Sequence, residues 1–126
     1  GAGGYVVFQG QHISISGGVF ANGGGGGAGM SSNLLTAQAG NDGGESATQA
    51  AAGGIAENDA GSGGSGGVGT VAPRIGLKPA VTAARGGGGG GSVGFLQTYT
   101  PEGVEPTLTP SAVSPSFQPN ATIKTR

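Results

Sequence analysis

The chain has no cysteine and no tryptophan, and only one histidine and one methionine among its 126 residues. Without cysteine there is neither a disulfide framework nor a thiolate metal site, and a single histidine does not make a typical zinc centre. Charged residues form 9% of the chain, six acids against five bases, so no basic patch argues for nucleic acid. No apolar run approaches the roughly 18 residues that mark a membrane-spanning helix. An initiating Met and a signal peptide are also missing, and from this we expect a processed product or a piece of something longer. Six residues are Phe or Tyr, which leaves little for a side-chain core.

What is there instead is glycine, 32 residues of it. Each glycine fixed in regular structure costs roughly 0.5–1 kcal/mol more than alanine, a total on the order of 20 kcal/mol here. Two states escape that cost. The chain stays disordered, or its glycines serve to bring backbones close enough to hydrogen-bond one another directly. We expect the second, in which every buried N–H and C=O must be paired, so that the middle of the chain lies in a hydrogen-bonded lattice or against neighbouring chains.

Two places carry strand signals flanked by glycine. Gly3-Gly4-Tyr5-Val6-Val7-Phe8 and Gly90-Gly91-Ser92-Val93-Gly94-Phe95 match at both glycines, the Val and the Phe with an offset of 87 residues. Strands are predicted near 5–9, 12–16, 19–21 and 92–100; Ile13 and Ile15 alternate with Ser14 and Ser16 as in a half-buried strand. Short strands with Gly corners and no Asn-Gly hairpin signal suit one coil of a parallel β-helix. Between them lies a glycine-rich excursion over 22–91. In Gly61–Gly69 the triplets Gly-Ser-Gly, Gly-Ser-Gly and Gly-Val-Gly place Ser62, Ser65 and Val68 at every third residue. Three residues per turn is the period of a polyproline II-type helix, which has no internal hydrogen bonds. One edge of such a rod carries side chains and two are bare backbone, as in polyglycine II. Gly86–Gly91 supplies another rod of about 19 Å. Collagen is the rival reading, against which Gly23–Gly27 and Gly86–Gly91 lack the Gly-X-Y register and imino acids it needs.

Met30–Ala39 and Glu45–Ala52 have helix-compatible composition but no apolar stripe, so at most a single turn is expected. Residues 71–85, with Pro73 and Pro79, read as irregular and extended. From Pro101 onward prolines fall every four to five residues among Thr, Ser and Val. A helix or a central strand is thereby ruled out, and 101–126 is expected to be an extended tail packing Leu108, Val113, Phe117 and Ile123 on its own module as a cap or on a neighbour as an arm. The predicted class is all-β: a glycine-rich module over 1–100 and a Pro/Thr/Ser-rich tail over 101–126, with little or no α-helix.

Chemistry is sparse. His12 has no Cys or Ser-His-Asp arrangement around it and reads as a polar residue at a strand edge. Asp42 and Glu45, and Glu57 and Asp59, are carboxylates clustered among glycines, the type of ligand a hard cation takes. They are weak calcium candidates because they lack the EF-hand spacing and the Gly-Gly-x-Gly-x-Asp repeat. No glycine run has the P-loop or dinucleotide-binding form. Neither an acid–base pair nor an activated nucleophile is found, so no enzymatic activity and no cofactor are expected. Asn120-Ala121-Thr122 fits an N-glycosylation acceptor.

Gly3-Gly4-Tyr5-Val6-Val7-Phe8-Gln9-Gly10, then His12 through the glycines at 23–27, then Gly86–Gly91-Ser92-Val93-Gly94-Phe95-Leu96-Gln97-Thr98, resembles the C-terminal module of large secreted glycine-rich surface proteins of myxobacteria-like soil bacteria. The resemblance spans most of 1–117 and implies a parallel β-helix with glycine-rich excursions, located outside the cell or on its surface; no catalytic residues come with it. The arginine-rich strand that often follows the last glycine run in that family is replaced here by Gly94-Phe95-Leu96-Gln97. A weaker resemblance is to phage tail-fibre adhesin tips, in which glycine-rich rods form a polyglycine II sandwich and the loops between them bind receptors. The functional expectation is a non-enzymatic structural protein, a subunit or terminal module of an extracellular fibre or surface assembly, partnered by copies of itself or by a parent β-helix chain. An adhesin tip binding a surface glycan or receptor through loops 30–60 and 70–85 is the alternative. An ice-binding protein ranks last, because the triplet period lasts only nine residues.

Overall fold

The computed structural model describes residues 1–33 and 36–124. Among these there is no helix, and seven short strands form: β1 (Tyr5–Gln9), β2 (Ser14–Ile15), β3 (Val19–Phe20), β4 (Phe95–Pro101), β5 (Thr107–Leu108), β6 (Val113–Ser114) and β7 (Ala121–Ile123). Every strand pairing is parallel. β4 lies between β1 and β7, β5 pairs with β2, and β6 with β3. The chain thus makes one pass through β1, β2 and β3, leaves for the glycine-rich excursion, and returns to lay β4, β5 and β6 beside them in the same order. β7 begins a third pass.

The register corrects the expected repeat. Tyr5 pairs with Phe95, Val6 with Leu96 and Phe8 with Thr98, an offset of 90 residues instead of 87. The structural equivalence is Gly4-Tyr5-Val6 with Gly94-Phe95-Leu96, aromatic beside aromatic and aliphatic beside aliphatic. Residues 92–94 belong to the glycine region, and β4 starts three residues later than predicted. The short strands at 12–16 and 19–21 shrink to Ser14–Ile15 and Val19–Phe20. Residues 101–126 are expected to run extended, with no helix and no central strand, and no strand is predicted there. They instead supply β5, β6 and β7, which is possible for a proline-rich stretch because each of these strands lies at a sheet edge, where a missing N–H costs no ladder bond.

Alternation along β4 sets the core. Leu96, Thr98 and Thr100 are fully buried, whereas Phe95 is 59% exposed. The buried hydroxyls are satisfied: Thr98 Oγ1 donates to Asn120 Oδ1 at 2.9 Å, and Asn120 Nδ2 to Thr100 Oγ1 at 2.6 Å. Between Phe117, which bridges to Leu96, and β7 the pairing offset slips by one residue, and Gln97 Nε2 bonds the Pro119 carbonyl there at 2.7 Å. The Phe8 and Phe117 rings meet at 6.1 Å between centroids. Among the described residues no buried side-chain nitrogen or oxygen lacks a partner.

The excursion runs back and forth as six extended segments: g1 (22–30), g2 (36–44), g3 (49–57), g4 (61–69), g5 (71–80) and g6 (85–94). Their backbones bond laterally at every third residue. The N–H groups of Gly61, Gly64 and Gly67 donate to the carbonyls of Arg85, Gly88 and Gly91; those of Gly63 and Gly66 donate to Gly54 and Ala51. The carbonyls of Gly61, Gly64 and Gly67 accept from Gly29, Gly26 and Gly23, and those of Ser62 and Ser65 from Leu77 and Arg74. Segment g4 is therefore bonded to g6, g3, g1 and g5. Since g5 also bonds g6, g6 bonds g1, and g3 bonds g1, the segments stack as two layers, g6–g1–g2 over g5–g4–g3.

Side chains follow the same period. A Cβ added at Gly61 or Gly64 would overlap the g5 carbonyls of Leu77 or Arg74, and one at Gly63 or Gly66 those of Gly26 or Gly23 in g1. Only the third edge, with Ser62 and Ser65, has room. Val68 continues that edge but is buried, because there the segment has reached the strands: Gly69 N–H donates to Ser114 Oγ at 2.7 Å. Gly69 then turns the chain with a φ of 55°, a left-handed value that costs glycine nothing. Segment g5, expected to be irregular, keeps the three-residue interval: Pro73, Gly76 and Pro79 are half-buried against the array while their neighbours point out. Residues 45–48 form a turn in which Ser46 Oγ accepts from the N–H of Thr48 and Gln49. Leu34 and Leu35, within the other helix-compatible stretch, lie outside the described residues.

Candidate interaction surfaces

Three surfaces follow from this architecture. The first is the set of open strand edges. Phe95 N–H bonds the Gly4 carbonyl and Gly10 N–H the Tyr99 carbonyl, so the even-numbered residues of β1 face β4. In a parallel pair alternate residues face alternate sides, so Tyr5, Val7 and Gln9 direct their N–H and C=O groups to the free edge. β7 forms the opposite edge of the same sheet. The outer face beside β1 is aromatic: Tyr5 is 61% exposed and Phe95 59%. The Tyr5 and Tyr99 hydroxyls lie 3.4 Å apart, and this hydrogen bond raises the Tyr5 pKa.

The second surface is the end of the glycine array farthest from the strands, where three turns meet. Asp59 holds it together: it accepts from Ser31 Oγ at 2.7 Å, Ser32 Oγ at 2.6 Å and the Ser32 N–H at 3.3 Å. Its own carbonyl accepts from Ala80 N–H, which ties in the turn between g5 and g6. The hydroxyls of Ser32 and then Ser31 lower the Asp59 pKa below its usual value. Beside this turn lies a cavity of about 410 Å³ lined by Ser31, Thr36, Gln38, Ile55 and Glu57.

The third lies at the turn between g2 and g3, next to the strands, where Asp42, Glu45, Ser46 and Gln49 line a cavity of about 320 Å³. Asn22 fixes this turn to the strands, donating from Nδ2 to the carbonyls of Gly44 and Ser46, both at 2.7 Å, and accepting from Ser114 Oγ. No family model matches the chain, and no curated protein or solved structure resembles it. The functional reading thus rests on these three surfaces.

The four calcium candidates are divided between two of them. Asp42 and Glu45 lie near the strands, while Glu57 and Asp59 lie at the far end, and Asp59 spends its oxygens on serine donors. Among the described residues no three of His, Asp and Glu come together to hold a metal ion. His12 sits in the turn between β1 and β2, exposed. No helix of the described residues is long and apolar enough to cross a membrane. Arg74 and Lys78 stand on g5 and Asp42, Glu45, Glu57 and Asp59 on and around g2 and g3, with g4 bonded between g5 and g3. Which strands form the free edges, and the Asp59 turn, were not read from sequence. Asp59 with Ser31-Ser32 has no local spacing to find, because 27 residues separate its partners in the chain.

Proposed function

We propose that the chain is a short parallel β-helix carrying a polyglycine II sandwich, and that it serves as a non-enzymatic structural module of an extracellular fibre or cell-surface assembly. The observation that carries this is the stacking of successive passes in register with both outer edges open, β1 on one side and β7 on the other. Unpaired parallel edges are templates for further strands, and here the two edges of one sheet face opposite ways along the stacking direction. A second copy, or a parent β-helix chain, adds to either edge by the same bonds that join β4 to β1.

The test is the state of association by light scattering together with electron microscopy. We expect regular filaments or closed oligomers for the native chain. Val7→Pro removes an N–H that faces away from β4, so it should keep the fold, checked by an unchanged melting temperature, and abolish association. A native chain that stays a folded monomer at high concentration, or a Val7→Pro variant that assembles like the parent, contradicts the proposal.

A second reading draws on the far end of the glycine array. Three turns gather there around the cavity beside Ser31 and Glu57, as loops would at the tip of an adhesin that binds a glycan or receptor. Exchanging the segments 30–33, 57–60 and 80–85 should then change the ligand bound; an unaltered ligand preference removes this reading.

A further inference from the structure

The excursion carries its charge in two blocks. Asp42, Glu45, Glu57 and Asp59 come first, and Arg74, Lys78 and Arg85 follow. The two-layer stack puts these blocks on opposite flanks: g5 and g6, with the bases, form one long side, g2 and g3, with the acids on and around them, form the other, and g1 and g4 lie between. Each flank also exposes apolar side chains. On g5 Ile75 is 85% exposed, with Val71 and Leu77 exposed beside it, and on g3 Ile55 is 70% exposed. Pro73, Gly76 and Pro79 take the inward edge of g5, which leaves two outward rows, Arg74 with Leu77 and Ile75 with Lys78. Each row sets an aliphatic residue beside a cation.

The lateral hydrogen bonds hold the two flanks at matching heights along the array. Arg74 N–H bonds the Ser65 carbonyl, Gly66 N–H the Ala51 carbonyl and Asn41 N–H the Ala52 carbonyl, so Arg74 stands level with Asn41 and Asp42. Toward the far end Leu77 N–H bonds the Ser62 carbonyl and Gly63 N–H the Gly54 carbonyl, so Leu77 stands level with Ile55. Lys78, one residue past Leu77, and Glu57, two past Ile55, then differ in height by about 3 Å, the rise of one extended residue. A sideways shift of the whole molecule therefore lays Arg74 on Asp42, Leu77 on Ile55 and Lys78 on Glu57. Asp42 and Glu57 each line a recess, which leaves room for the long basic side chains.

We propose that the g5 flank docks on the g2–g3 flank of a second copy, so that modules line up side by side in unclosed rows. Charge complementarity sets the register, and the exposed Ile75, Leu77 and Ile55 lose water. Exposed ion pairs stabilise little each, so one contact is too weak to hold two free copies together in light scattering. It becomes firm where many copies are already aligned in a fibre and the contacts act together. This deepens the assembly reading by naming the contact between fibres, and in that respect rests on it, but the contact uses neither β1 nor β7, so the two fail separately.

The test is carbodiimide coupling, which joins amines only to carboxylates they touch, in an equal mixture of light- and heavy-isotope chains at millimolar concentration, read by mass spectrometry. Run on the Val7→Pro variant, whose strand edge is blocked, it reads the side contact alone; the native chain is run in parallel. Mixed-isotope products joining Lys78 to Glu57 are expected in both. Arg74→Glu, at an exposed position, should keep the melting temperature and cut their yield about tenfold. Mixing Arg74→Glu with Asp42→Arg should restore the product whose Lys78 comes from the first variant and whose Glu57 comes from the second. Mixed-isotope products that join Lys78 only to other carboxylates, none at all, a yield indifferent to Arg74→Glu, or no recovery in that mixture overturns the proposal.

Discussion

A methyl group at Gly64 has nowhere to go: it would overlap the Arg74 carbonyl, while the Gly64 N–H is held by Gly88 and its carbonyl by Gly26. Neighbours on three sides are backbone, so relief requires moving whole segments rather than rotating a side chain. Overpacking a core with extra carbons costs typically 1–3 kcal/mol, and where backbone must shift we expect about 3 kcal/mol or more for Gly64→Ala. Gly44→Ala is the reference, since its added carbon is unopposed and the loss of unfolded-state freedom stabilises by about 0.4–1 kcal/mol. Chemical denaturation of both variants checks this; equal stabilities would mean that the glycines are not there for close approach.

Among the elements, the turns at the far end depend on one carboxylate. Asp59 is ionised more readily than a free aspartate because Ser32 and Ser31 donate to it. A folded pKa below the unfolded one contributes stability that is present above the unfolded pKa and is lost as pH falls through the folded pKa. The turn should therefore stay ordered at neutral pH and loosen in acid. An NMR titration should place the Asp59 midpoint below that of an unfolded aspartate, and Ser32→Ala should move it up toward the ordinary value. An Asp59 midpoint that is ordinary in the native chain and indifferent to Ser32→Ala contradicts this account of the turn.

The elements also differ in how far they could be read from sequence. β1 was legible because Tyr5–Gln9 is a continuous apolar run between glycines, and the triplet Gly61–Gly69 announced its interval because Ser and Val mark one edge. In g5 the same interval was hidden: Pro73, Gly76 and Pro79 repeat every third residue, but two prolines and a glycine read as loop when neighbours are ignored. The tail was legible only in part. Its prolines forbid central strands, yet β5, β6 and β7 need only an edge, and which edge is free is a property of the whole stack. The offset of 87 failed because matched glycines say little when glycine serves both the array and the strand starts. The surface sites were the least legible, since the Asp59 turn and the Asn22 anchor join residues more than twenty positions apart.

For the whole molecule, two cohesive systems meet end to end. The strands have a thin core of Leu96, Ile15 and buried Thr and Ser hydroxyls, and the glycine segments have almost no side-chain core at all. The array is held by backbone hydrogen bonds spaced every third residue, and it is fixed to the strands by Asn22, Ser114 and the Gly94 N–H bonded to Ala21. Ordering 32 glycines against their conformational freedom is then possible because each buried N–H finds a carbonyl on a neighbouring segment. A fold of this kind is sensitive to glycine substitution across most of its length and tolerant at the edges that face water.

Amide hydrogen exchange followed residue by residue tests that claim most directly. The N–H groups of Gly23, Gly26, Gly29, Gly61, Gly64 and Gly67, all bonded across segments, should be protected together and open only with the array. Those of Gly86 and Gly89 on its outer side should exchange freely. Fast, uniform exchange over 22–94 would contradict the account, for it would mean that the glycines are not held by lateral bonds.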